Sequence, residues 1–146
     1  MRSFLIIGAL LIAVSVASSA SASNATLRAA VDTWSTRIGA DARAVTRDAN
    51  QKLPGALIAD ASRFHRDAVR ARAVIAARKP STAKGLRARR LALAAFADFA
   101  KAGSEWAASG RALVGHQSAA SIADAQAGAR HARAGNRLLL TVTTLL

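Results

Sequence analysis

Cysteine and tyrosine are absent from this 146-residue chain, glutamate occurs once, at Glu105, and proline only at Pro54 and Pro80. Without cysteine there is no disulfide, no thiolate metal site, no lipid-attachment cysteine and no cysteine nucleophile. A single glutamate excludes the di-metal carboxylate bundle, which needs a Glu from each of two helices and Glu-x-x-His pairs from the other two. The three histidines, His65, His116 and His131, fall in different segments, with no i, i+4 pair and no His-Glu-x-x-His pattern, so no zinc motif is present. The Gly-x-Ser-x-Gly elbow, the phosphate-binding loop and the Gly-x-Gly-x-x-Gly turn are also missing. The sequence therefore assigns no catalytic, cofactor-binding or metal residue, and the expectation is a protein that is not an enzyme.

What is present is alanine and arginine. Thirty-nine residues are Ala, which accounts for much of the 52% hydrophobic fraction and leaves the larger apolar side chains sparse. There are 21 Lys and Arg, of which 17 are Arg, against 8 Asp and Glu, a net charge of +13. A surplus of this kind favours anionic partners; it speaks to solubility and association and not to fold. The length fits one domain.

The N-terminus has the three parts of a secretory signal. Arg2 and the amine form a positive start, Phe4 to Ala17 is an uncharged, mostly apolar run, and Ala20-Ser21-Ala22 presents small residues for cleavage before Ser23. The expectation is a signal peptide over 1–22, export to the cell envelope or beyond, and a helical domain over 23–146. The alternative is an uncleaved membrane anchor, since Phe4 to Ala22 is uncharged and a span takes about 20 residues; the serines of its last third argue against it.

Beyond residue 23, apolar positions step by three and four, the period of an amphipathic helix. The first stripe is Leu27, Val31, Trp34, Ile38, Ala42, Val45 and Ala49, and it stops at Leu53-Pro54-Gly55. Asn24 is positioned to cap it. The second is Leu57, Ala61, Phe64, Ala68, Ala71 and Ile75, ending before Lys79-Pro80. Ser81 can cap a third, with Leu86, Leu93, Phe96, Ala100, Gly103 and Ala107, for which Gly115 is a natural left-handed stop. Ser121-Ile122-Ala123-Asp124 reads as a capping box opening a fourth, with Ile122, Ala125, Ala129, Ala132 and Leu139. Helices over about 24–52, 55–78, 82–114 and 121–144 with short connections predict an all-α, antiparallel up-down bundle. A first and second helix merged into one rod kinked at Pro54 is the competing arrangement. Trp34, Phe64, Phe96, Phe99 and Trp106 fall on or beside the stripes, as core anchors do.

Gly103 and Gly110 lie seven apart, as do Gly128 and Gly135. Mid-helix glycine costs about 1 kcal/mol against alanine, and close backbone approach would compensate. A hairpin of the third and fourth helices would set Gly103 opposite Gly135 and Gly110 opposite Gly128. Asp32, Asp41, Asp48, Asp60 and Asp67 neighbour arginines at helical spacing and read as solvated surface pairs, Asp67 with Arg63 or Arg70 and Asp48 with Arg43 or Arg47.

Charge is concentrated between residues 63 and 90, where Arg63, Arg66, Arg70, Arg72, Arg78, Lys79, Lys84, Arg87, Arg89 and Arg90 face one acid, Asp67. The turn at Pro80 gathers the end of the second helix and the start of the third. The candidate anion-binding residues are Arg63, Arg66, Arg70, Arg78, Lys79, Lys84, Arg87, Arg89 and Arg90. The sequence predicts a structural or interaction protein holding anionic polymers or lipid headgroups of the envelope. Two alternatives are a basic nucleic-acid-binding protein and, last, a small-ligand carrier or an enzyme of unseen constellation. The plain alternative for the basic run is a solvated face in a chain rich in arginine.

Overall fold

Two breaks in helical hydrogen bonding and one proline loop divide the chain. The computed structural model describes residues 22–146 in full, and the expected signal segment over 1–22 falls, but for Ala22, outside the described residues. Among the described residues there are four helices and no strand: α1 (Ser3–Asn50), α2 (Pro54–Ala76), α3 (Ala83–Val114) and α4 (Ser118–Leu145). They pack as an up-down antiparallel bundle, as the stripes predict. The kinked rod does not form, because the chain reverses at Lys52, whose φ of 56° is left-handed. The Leu53 N–H donates to the Asp48 carbonyl at 3.0 Å and the Lys52 N–H to that of Ala49 at 3.2 Å, the paired bonds of a Schellman stop. Pro54, without an N–H, then opens α2 where none is needed.

The α3–α4 turn repeats this device one residue later than expected. Gly115 has φ −80° and only caps α3, while His116 takes the left-handed position at φ 56°. The Gln117 and His116 N–H groups donate to the carbonyls of Ala112 and Leu113. A left-handed conformation costs a non-glycine residue about 1–2 kcal/mol. His116→Gly is therefore expected to stabilise the fold by about 1 kcal/mol, read as a shift in the urea midpoint at unchanged slope.

Three further expectations about helix ends are corrected. Asn24 is not a cap, since α1 runs through it; its side chain instead crosses to α3, its Nδ2 donating to Thr82 Oγ1 at 2.9 Å. The cap of α3 is Thr82, not Ser81, and accepts the Gly85 N–H at 3.0 Å. Ser121 does not open α4, which begins at Ser118; it is buried one turn inside, where Ser109 Oγ donates to its carbonyl at 2.9 Å.

α3 is the centre of the bundle, packed on α2 along one side and on α4 along another, while α1 lies mainly on α2. All six residues of the second stripe are buried. They join Leu27, Val31, Ile38, Phe96, Phe99 and Val142 in the core, with Phe64 edge-on to Phe99 and Trp106 at 6.0 and 5.2 Å between centroids. The other stripes are corrected in part. Ala49, Leu86 and Ile122 are exposed. In α3 the buried set is instead wide and small, with Ala88, Ala92, Ala95, Ala102 and Gly110 among it, because a helix covered on two sides buries more than one stripe. In α4 it is Ser121, Gly128, Gly135 and Val142, one residue per heptad.

The glycines make two seams and not one. Gly128 and Gly135 approach α3, where an added Cβ would stand 3.1 Å from the Ala102 carbonyl and 2.9 Å from that of Ala95. Gly103 and Gly110 turn the other way, onto α2, where it would stand 2.9 Å from the Ala61 carbonyl and 3.2 Å from that of Pro54. The expected glycine-to-glycine pairing fails because α3 has two neighbours, and its glycines serve the earlier one. Each seam keeps a heptad register along an antiparallel pair.

Candidate functional site

The basic run has to be separated into arginines already engaged and those left to act. Asp67 and Asp48 are each 1% exposed and Asp41 7%, so the expectation of solvated surface pairs is corrected. Arg37 of α1 bonds Asp67 of α2 through Nε, and Arg70 lies 3.5 Å from the same carboxylate. In the reverse direction Arg63 of α2 donates from Nε to Asp41 of α1 at 2.9 Å and reaches Asp60 at 3.0 Å. Arg47 of α1 meets Asp48 at 2.8 Å and Asp60 at 3.3 Å. The ladder ties α1 to α2 beside their apolar contacts. The hydrogen bond it donates to Asp41 holds the Arg63 guanidinium above its ordinary pKa against a small cost of burial, and the charges of Asp60, Asp41 and Asp67 act in the same sense.

The second oxygens of Asp41 and Asp48 are buried without a hydrogen-bond partner, so their guanidinium partners matter more than in exposed pairs. Breaking a buried pair costs about 3–5 kcal/mol and an exposed one about 0–1. Arg63 is itself about half exposed, and Arg63→Met is expected to destabilise by about 1–3 kcal/mol between these limits. Arg43→Met, at an exposed position outside the ladder, should change stability by less than about 0.5 kcal/mol. Equal midpoints for the two variants in urea would refute the structural role of the ladder.

Arg63 is thus committed to α1, and Arg70 to Asp67 of its own helix. Arg66, between them on the same ridge of α2, lines the groove against α3. The remaining six candidates gather at one end of the bundle. Arg78 and Lys79 follow the last turn of α2, and Lys84, Arg87, Arg89 and Arg90 occupy the first turns of α3. Arg89 donates from Nη2 to the Ala76 carbonyl at 2.6 Å, placing a cation on the carbonyl end of α2, where the helix dipole favours it. Lys79, Lys84, Arg87 and Arg90 are exposed. Among the described residues no carboxylate side chain pairs with any of the six. The aspartates of α1 and α2 nearest in sequence to this end are Asp32 and Asp67, each about two turns or more along its helix.

Two details mark this end further. Leu86, 46% exposed, lies among the cations and lines a shallow hollow of about 370 Å³ with Ala83, Arg89 and Arg90. The start of the described chain is tied to the same place: Ser23 Oγ lies 3.0 Å from Ser81 Oγ, and Asn24 bonds Thr82. The opposite end carries exposed Leu53, Leu113, Val114 and Ile122.

The histidines stay apart. His65 Nδ1 lies 2.8 Å from the Ala100 carbonyl and 3.1 Å from Ser104 Oγ. A carbonyl only accepts, so Nδ1 carries the proton and cannot take one from Ser104. His131 Nδ1 meets Asp98 at 3.1 Å in the α3–α4 groove. Among the described residues no group of three or more His, Asp and Glu could hold a metal ion, and no helix is long and apolar enough to cross a membrane.

Fold and site together define an all-α bundle with one uncompensated cationic end. No family model, curated protein or solved structure matches the chain.

Proposed function

We propose that this is an exported helical protein that holds an anionic surface of the cell envelope, lipid headgroups first, through the end of the bundle formed by the α2–α3 loop. The observation that carries the reading is the gathering of Arg78, Lys79, Lys84, Arg87, Arg89 and Arg90 with no carboxylate side-chain partner among the described residues, while Arg63 and Arg70 further along α2 are paired. Export rests on the signal-like pattern of residues 1–22. Leu86 favours a lipid surface over a soluble polyanion, because an apolar side chain ringed by cations can enter the acyl boundary while they meet headgroups. The tie of Ser23 and Asn24 to the loop supports the same reading, because a segment preceding Ser23 that met a bilayer would bring the cationic end with it.

Attraction of this kind is electrostatic and screened. Sedimentation of the mature protein with phosphatidylglycerol-containing vesicles is expected to be strong at about 0.02 M salt, and to fall steeply through about 0.15 M, where the Debye length is about 8 Å. Neutral phosphatidylcholine vesicles should capture little at any salt. Equal capture by both vesicle types would overturn the reading, as would no capture at low salt.

A further inference from the structure

We propose that the groove between α2 and α3 at the level of Gly103 is a binding site for a small tetrahedral oxyanion, a phosphate group either free or carried as a monoester. It is separate from the cationic end and does not depend on it. α2 contributes Ser62, His65 and Arg66, spaced i, i+3 and i+4 and therefore on one face; α3 contributes Gly103, Ser104 and Arg111. Gly103 forms the floor: a Cβ there would stand 2.8 Å from the His65 backbone nitrogen, so the helices meet without a side chain between them, and the hollow opens above that contact.

The lining is chemically one-sided. Two guanidinium groups, two hydroxyls and an imidazole converge on one hollow, with no acid in its lining. Neither Arg66 nor Arg111 has an ion-pair partner among the described residues, in contrast to Arg63 and Arg70, the neighbours of Arg66 along α2. Guanidinium forks match the oxygens of phosphate in geometry and charge, and the serines supply further donors. The volume, about 210 Å³, is below the roughly 300 Å³ at which pockets for drug-sized ligands begin. It suits a phosphate group with little attached.

The test is titration of the ¹⁵N-labelled mature protein with inorganic phosphate, glycerol phosphate and acetate, following amide shifts. Saturable shifts are expected around residues 62–66 and 103–111 with phosphate or glycerol phosphate, and the tighter of the two identifies the source. Acetate should bind about tenfold more weakly or worse. Arg66→Gln and Arg111→Gln, both at exposed positions that leave the core intact, should each weaken phosphate by about tenfold. The variant Lys84→Gln, Arg87→Gln, Arg90→Gln should leave it unchanged. Shifts confined to residues 78–90, or curves unaltered by Arg66→Gln and Arg111→Gln, would overturn the site. Neither result bears on vesicle capture by the cationic end.

Discussion

Gly103→Ala, the addition of one methyl group, is expected to lower stability by about 2 kcal/mol, a fall in Tm of about 8 °C for a domain of this size. In a solvent-exposed helix the same change would stabilise by about 1 kcal/mol. The sign reverses because the new carbon would lie 2.8 Å from the His65 nitrogen and 2.9 Å from the Ala61 carbonyl. Backbone atoms cannot rotate away as a side-chain tip can, so α2 and α3 must separate along the whole seam. Gly110→Ala should cost less, since its nearest neighbour is the mobile Cγ1 of Ile58. Gly55→Ala, with nothing within 4 Å, should be neutral or slightly stabilising. Thermal unfolding of the three variants checks the order; a stabilised Gly103→Ala would mean that the α2–α3 seam is not packed as described.

That order was not readable from the sequence, although the glycine spacing was. Periodicity identified the helices because large apolar residues step regularly, and it worked best in α2, where Leu57, Phe64 and Ile75 all enter the core. It worked least in α3 and α4, whose buried faces are made of Ala, Gly and Ser. Hydropathy gives these residues little weight, yet they decide how near two helices come. A hydropathy stripe therefore takes Ile122 and passes over Ser121, whereas the structure buries Ser121 and exposes Ile122. The partner of Gly103 depended on which neighbour α3 turns it towards, a tertiary fact that spacing within one helix does not contain.

The candidate site divides in the same way. Arg63 and Arg66 are three apart in sequence and share a cationic run, but one faces α1 and the other α3. Local spacing offers Asp41 and Asp67 only arginines of the same helix, and such pairs belong to a solvated surface. Asp41 takes its cation from the opposite helix, Arg63, while Asp67 keeps Arg70 of its own helix and gains Arg37 from α1, and burial makes both structural. What the sequence did contain was the cationic density around Pro80. Its proximity to Ser23 and Asn24 required the fold.

The central claim, that a local cationic end and not the net charge of +13 engages anionic surfaces, is tested most directly by two variants of equal charge. One carries Lys84→Gln, Arg87→Gln and Arg90→Gln at the α2–α3 end; the other carries Arg43→Gln, Arg130→Gln and Arg133→Gln, exposed positions away from that end. Basic residues beside an anionic bilayer contribute about 1 kcal/mol each, so the first variant should lose about 3 kcal/mol of vesicle binding, about 100-fold in affinity. The second should lose less than about tenfold, through the general field alone. Affinities for phosphatidylglycerol-containing vesicles, measured side by side at one low salt concentration, give the answer. A large loss in the first variant only is the predicted result, and equal losses in both would contradict it.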